Sequence, residues 1–81
     1  MERRYNKDYS ENCEIVHAEP VMEGEIVLAK AETSRGTMWI TWFCTNGKSY
    51  CHGHYFPNDF KSAAEDFNHR VQLEMGCFME D

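Results

Sequence analysis

Apolar and polar side chains alternate along two aromatic-rich stretches in the middle of the chain, residues 37–44 and 48–56. Alternation with a period of two is typical of β-strands, because successive side chains point to opposite faces of a sheet. The Asn46-Gly47 pair separates the two stretches, and both residues tolerate the positive φ angles of a type I′ turn. The pattern predicts a β-hairpin with a two-residue turn. A three-residue loop with a glycine bulge is the alternative, and it shifts the pairing by one residue.

Two stretches before this hairpin also predict strands. Residues 25–32 are mostly apolar and follow Gly24, and the shorter stretch 13–18 is β-branched in its middle. After the hairpin, apolar side chains recur at steps of three and four, as on one face of an α-helix. These are Phe60, Ala64, Phe67, Val71 and Met75. Asn58 is the predicted N-cap of this helix and Gly76 its C-cap. The predicted fold is α+β: an antiparallel meander of three or four strands with one C-terminal helix packed on one face.

The predicted sheet is apolar on both faces, whereas one helix covers only one of them. With the two-residue turn, the "Trp42 face" carries Met38, Ile40, Trp42 and Cys44 opposite Cys51, Gly53 and Tyr55. The "Trp39 face" carries Thr37, Trp39, Thr41 and Phe43 opposite Tyr50, His52, His54 and Phe56. The Trp42 face is the more aliphatic and suits the helix. The Trp39 face is then left for a partner, for a second copy of the chain, or for coverage by the N-terminal segment.

The length predicts a single small domain, residues 1–81, in which the polar residues 1–12 form a flexible N-terminal arm. The net charge is −6, and the stretch 11–25 contains five acidic residues but no Lys or Arg. Nucleic-acid binding needs the opposite charge, so we expect no direct contact with nucleic acid. An acidic surface favours a protein partner with a basic surface instead.

The candidate chemistry lies in Cys44, Cys51, His52 and His54, which fall within eleven residues. A tetrahedral zinc site needs its ligands on one side of the backbone, whereas Cys51 and the two histidines point to opposite faces of a regular strand. We therefore expect no metal and no cofactor. The sequence also contains no catalytic motif, which predicts that the protein is not an enzyme. A small zinc-binding or thiol-dependent protein remains an alternative, as does a structural homodimer that uses the aromatic face.

The N-terminal residues are not followed by an apolar stretch, and no run is long enough to span a membrane. We expect a cytoplasmic protein without a membrane association.

The organisation of this chain resembles that of small acidic anti-defence proteins of phages and mobile elements, anti-CRISPR proteins among them. The shared features are short length, the acid-only stretch 11–25, the absence of a catalytic motif and a compact sheet-plus-helix core. The resemblance implies an acidic inhibitor that docks on a basic, nucleic-acid-binding surface of a host protein, inside the host cell. It assigns no role to any residue. The contact residues predicted from the sheet are Trp39, Phe43, Tyr50, His52 and His54. The predicted electrostatic residues are Glu14, Glu19, Glu23 and Glu25.

Overall fold

A computed structural model describes residues 3–74 of the chain. It contains one antiparallel sheet of five strands in chain order, followed by one helix. The elements are β1 (Arg4–Tyr5), β2 (Glu14–Val21), β3 (Gly24–Thr33), β4 (Gly36–Thr45), β5 (Ser49–Pro57) and α1 (Phe60–Glu74). The predicted α+β meander with a C-terminal helix is confirmed. The sheet has five strands rather than three or four because β1 adds a two-residue edge. Met75 and the predicted cap Gly76 lie outside the described residues.

The turn between β4 and β5 has the predicted backbone but not the preferred pairing. Asn46 and Gly47 have φ angles of 58° and 73°, as a type I′ turn requires, and the Lys48 N–H donates to the Thr45 carbonyl at 3.2 Å. However, the strands pair Thr45 with Ser49, so three residues connect them. A one-residue shift moves every following side chain to the other face. Tyr50 therefore lies on the Trp42 face rather than on the Trp39 face.

A β-bulge at His52 reverses this shift a few residues later. Phe43 pairs with Cys51 and Thr41 pairs with His54, so Trp42 faces two residues of β5 instead of one. His52 adopts the left-handed backbone conformation with a φ of 55°, which residues other than glycine seldom adopt. Beyond the bulge, His54 is on the Trp39 face as predicted.

The helix packs against the Trp39 face, whereas the sequence indicated the Trp42 face. Ala63 and Phe67 of α1 form a buried cluster with Ile26 and Leu28 of β3. The partly buried members of this cluster are Val21, Trp39, Phe43, Phe56 and Val71. The reason lies in β3, because the sequence comparison of the two faces used only the side chains of the two hairpin strands. The apolar side chains of β3 on the Trp39 face are the large Ile26 and Leu28, so this face offers more apolar area to a helix.

The N-terminal segment covers the Trp42 face. β1 pairs with the start of β2, and the loop between them, residues 6–13, is closed by the Asn6 N–H donating to the Cys13 carbonyl at 2.9 Å. The loop places the Tyr9 ring 5.6 Å from that of Trp42, and it buries Cys13 within a cluster that includes Val27, Ala29 and Ile40. Residues 3–12 of the predicted arm are thus the second cover of the sheet.

Asp59 caps the helix, and Asn58 does not. The Ser62 N–H donates to the Asp59 carboxylate at 3.1 Å, and this bond lowers the pKa of Asp59. Asn58 has a φ of 53° and accepts a hydrogen bond from the Thr37 N–H at 3.0 Å. Its amide also donates to the Arg35 carbonyl at 3.2 Å. Asn58 therefore ties the entry of the helix to the turn between β3 and β4.

The position of Trp39 under the helix predicts its contribution to stability. We expect Trp39→Ala to lower the free energy of unfolding by about 2–4 kcal/mol, because a large ring is lost from a half-buried site. The matched control is Met22→Ala, since the Met22 side chain is 79% exposed in the turn between β2 and β3. The control should change the free energy by less than about 0.5 kcal/mol. Urea unfolding followed by circular dichroism measures both, and equal midpoints for Trp39→Ala and the wild type would contradict the packing.

Candidate functional site

Two of the predicted contact residues contribute to the core between helix and sheet. Trp39 and Phe43 are half-buried beneath α1, and the Trp39 ring meets the ring of Phe60 edge-on with centroids 4.7 Å apart. Phe60 itself is 51% exposed. The helix thus occupies the face on which a partner was expected.

The structure does not bring the other three contact candidates together. Tyr50 lies on the Trp42 face, 5.5 Å from the Trp42 ring, whereas His52 is exposed at the bulge. His54 lies on the Trp39 face, where its Nδ1 is 2.9 Å from the carboxylate of Asp66. The five aromatic and imidazole side chains therefore belong to several environments instead of one patch.

The four predicted electrostatic residues divide into two pairs. Glu14 faces Arg3 at 3.6 Å, and Glu25 forms a bidentate pair with Arg4 at 3.3 and 2.9 Å. Within the described range 3–74, Glu19 approaches His17 at 3.8 Å, and Glu23 is exposed in the turn between β2 and β3. Glu14 and Glu25 are thus paired with arginines, whereas Glu19 and Glu23 have no Arg or Lys partner in the described part of the chain.

Arg4 fastens the N-terminal segment across three strands. Besides Glu25 of β3, its guanidinium lies 3.7 Å from the Cys44 sulfur of β4 and donates to the Tyr50 hydroxyl of β5 at 3.4 Å. The hydrogen bond to Glu25 raises the pKa of Arg4, while desolvation acts in the opposite direction. Charged, bidentate hydrogen bonds of this kind are among the stronger ones in proteins.

A polar network under the helix joins Asp66 to the sheet. The buried Thr41 hydroxyl donates to the Asp66 carboxylate at 2.6 Å and accepts from the Arg70 guanidinium at 3.0 Å. The His54 imidazole bonds to the same Asp66 oxygen at 2.9 Å. In a hydrolytic triad the imidazole stands between the hydroxyl and the carboxylate. Here the carboxylate stands between them, so the arrangement serves to hold α1 on the sheet rather than to activate Thr41.

The cysteines and histidines do not converge. Cys44 is buried on the Trp42 face, whereas Cys51 is exposed on the Trp39 face. Within residues 3–74 no group of three or more metal-ligating side chains is close enough to hold an ion. Burial also raises the pKa of the Cys44 thiol, although the Arg4 charge acts against this. Cys77 lies outside the described residues.

An exposed tyrosine pair is the surface feature that the sequence pattern missed. The rings of Tyr9 and Tyr55 lie 5.9 Å apart with a tilt of 31°, and the two side chains are 40% and 48% exposed. Trp42 supports both rings from below at 5.6 and 6.3 Å and is itself only 4% exposed. We call Tyr9, Tyr55 and the indole edge of Trp42 the tyrosine shelf. Tyr9 stands in a polar segment without periodicity, so no local signal assigns it to a sheet face.

The comparisons with known proteins find no matching family model, no matching curated protein and no matching solved structure. Among the described residues there is no helix whose length and apolar character would let it span a membrane. Inference about function therefore depends on the surfaces of this chain.

The network under the helix generates a prediction about Thr41. Thr41→Val keeps the shape but leaves Asp66 and Arg70 without their shared partner, so we expect a loss of about 1–3 kcal/mol in the free energy of unfolding. Thr45→Val is the matched control, because Thr45 is half-buried on the same strand and, among residues 3–74, its hydroxyl has no partner. Hydrogen exchange of the α1 amides should rise for Thr41→Val only. Equal losses of unfolding free energy in both variants would contradict the role of the Thr41 hydroxyl in holding α1 on the sheet.

The thiols generate a second prediction, made in a Cys77→Ser background. Burial raises the pKa of Cys13 to about 11, so at pH 8 only ~0.1% of this thiol is the reactive thiolate. Iodoacetamide should modify Cys51 first, with Cys13 and Cys44 at least about tenfold slower. Peptide mass spectrometry measures the three rates, with urea-unfolded protein as the control in which they become similar. Fast labelling of Cys13 in the folded protein would contradict its burial.

Proposed function

We propose that this protein is a non-catalytic binding module, an acidic inhibitor that docks on a basic, nucleic-acid-binding surface of another protein. The observation that carries the proposal is the hairpin formed by β2 and β3. Its residues 14–25 contain four glutamates and no Lys or Arg. Two of these glutamates are matched by Arg3 and Arg4, whereas Glu19 and Glu23 have no Lys or Arg partner among residues 3–74.

The end of the hairpin combines charge with an apolar contact. Met22 is 79% exposed between Val21 and Glu23, at the turn itself. Carboxylates attract a basic surface and raise the association rate, and a flexible apolar side chain adds contact area once the surfaces meet. Carboxylates also replace the phosphates that such a surface otherwise binds, so occupancy by this protein would exclude nucleic acid.

The interior polar groups support a binding role over a catalytic one. Asp66 bonds to both Thr41 and His54, and the buried thiols have raised pKa values, so these groups are committed to the fold or kept unreactive. The proposed setting is the cytoplasm of the cell that contains the target.

Charge reversal at the hairpin tests the proposal. The variant Glu19→Lys/Glu23→Lys is compared with Glu65→Lys/Glu74→Lys, which makes the same change of charge at exposed positions of α1. Each protein is immobilised and exposed to a bacterial lysate at low and high salt, and captured proteins are identified by mass spectrometry. The wild type should retain a nucleic-acid-binding protein at low salt only, because exposed charges are screened by salt.

The expected result is specific to the hairpin. Against the purified target, we expect the hairpin variant to bind at least about tenfold more weakly and the helix variant to bind within about threefold of the wild type. Added oligonucleotide should compete with the wild type for the target. Equal affinities for the two double variants, or no competition by nucleic acid, would refute the proposed function.

A further inference from the structure

The tyrosine shelf is a rigid aromatic surface that the helix and the acidic hairpin do not use. Tyr9 comes from the loop 6–13 and Tyr55 from β5, and both rest on Trp42, which is 4% exposed. Side chains held in this way lose little conformational freedom when they bind a partner, so less of the binding free energy is spent on ordering them.

Two polar atoms of the shelf lie beside Gly53. A side chain at this position would place its Cβ 2.7 Å from the Trp42 indole nitrogen and 2.7 Å from the Tyr55 hydroxyl oxygen. Tyr50, whose ring lies 5.5 Å from that of Trp42, accepts a hydrogen bond from Arg4 at 3.4 Å. The Trp42 N–H and the hydroxyls of Tyr9 and Tyr55 have no partner among residues 3–74. The shelf therefore combines aromatic faces with hydrogen-bond donors.

The residues around Tyr9 set the charge of the ligand. Asp8 and Glu11 are exposed in the same loop, and Lys7, the one basic residue there, lies over the Tyr5 ring at 5.8 Å. A guanidinium group stacks on aromatic rings and pairs with carboxylates, and it does so better than the compact ammonium group of lysine. Peptide carbonyls accept hydrogen bonds from indole and phenol donors. A nucleobase would also stack, but its phosphates are repelled by a chain of net charge −6.

We infer that the tyrosine shelf binds an extended, arginine-containing segment of a partner protein. One arginine side chain stacks on Tyr9 and Tyr55, and a neighbouring carbonyl of the segment accepts a hydrogen bond from the Trp42 N–H. The inference rests on the proposed function for the basic character of the partner, and it adds a second contact region to the hairpin. Gly53 is then required because it leaves the indole N–H accessible beside Tyr55.

The two tryptophans provide an internal control for the test. The ¹⁵N-labelled protein is titrated with an acetylated, amidated octapeptide of alternating glycine and arginine, followed by NMR, and a Trp39→Phe variant assigns the indole signals. The Trp42 indole signal should shift on binding and the Trp39 signal should stay in place. We expect the arginine peptide to bind at least about threefold more tightly than its lysine counterpart.

Matched variants locate the contact. Tyr55→Ala should weaken binding of the arginine peptide at least about fivefold, whereas Tyr55→Phe keeps the ring and should weaken it less. Phe60→Ala removes a similarly exposed aromatic ring from the helix and should leave the affinity unchanged. Unchanged amide spectra away from position 55 show that Tyr55→Ala remains folded.

Several outcomes overturn the inference. These are no binding of the arginine peptide at millimolar concentration, shifts confined to the region of Glu19 and Glu23, and equal effects of Tyr55→Ala and Phe60→Ala. Protection of the shelf by an oligonucleotide, or by a second copy of the chain in concentrated solution, also overturns it. The charge reversal at Glu19 and Glu23 tests the proposed function separately. If the arginine peptide does not bind the shelf, the proposed function is unaffected. If the charge reversal does not weaken binding of the target, a shift of the Trp42 signal still supports the shelf.

Discussion

A sheet that is apolar on both faces needs two covers, and this constraint organises the whole molecule. With 81 residues the chain has one helix to offer within its described part, and α1 covers the Trp39 face. The loop 6–13 covers the Trp42 face with Asn6, Tyr9 and Cys13. If either face were open, its apolar area would be exposed to water. A small domain already buries a low fraction of the surface of its unfolded chain, so this loss of burial would destabilise it. The N-terminal segment is therefore part of the core.

Each cover is held on the sheet by one polar cluster, and several of the charged side chains discussed above belong to one of the two clusters. Arg4 holds the N-terminal cover through Glu25 and Tyr50, and Asp66 holds the helical cover through Thr41 and His54. Each of these groups makes hydrogen bonds that hold a cover on the sheet. The same division separates Glu25, which stabilises the fold, from Glu19 and Glu23, which have no Lys or Arg partner within residues 3–74.

The sequence allowed the strands and the helix to be predicted, because alternation and helical periodicity are local. It did not allow the side of each residue on β5 to be predicted, because the three-residue connection and the His52 bulge each move the register by one. Tyr50 changes face between these two irregularities, and Tyr55 beyond them does not. The face taken by the helix depends on Ile26 and Leu28, which lie on β3, the strand next to the hairpin and outside its pattern. Tyr9 reaches its place through tertiary contacts alone, so the tyrosine shelf leaves no periodic trace in the sequence.

The N-terminal cover also connects the two proposed contact regions. Tyr9 stands over Trp42 only when the loop 6–13 is docked, and Arg4 docks this loop while it neutralises Glu25 of the acidic hairpin. Loss of the Arg4 pair would therefore do two things at once: it would release a further carboxylate on the hairpin and loosen one of the two rings of the shelf. Electrostatic attraction and aromatic contact would then change in opposite directions. For this reason a substitution of Arg4 cannot separate the contribution of the hairpin from that of the shelf. Substitutions at Glu19, Glu23 and Tyr55 can, because in the described part of the chain these residues form no hydrogen bond or ion pair with Arg4.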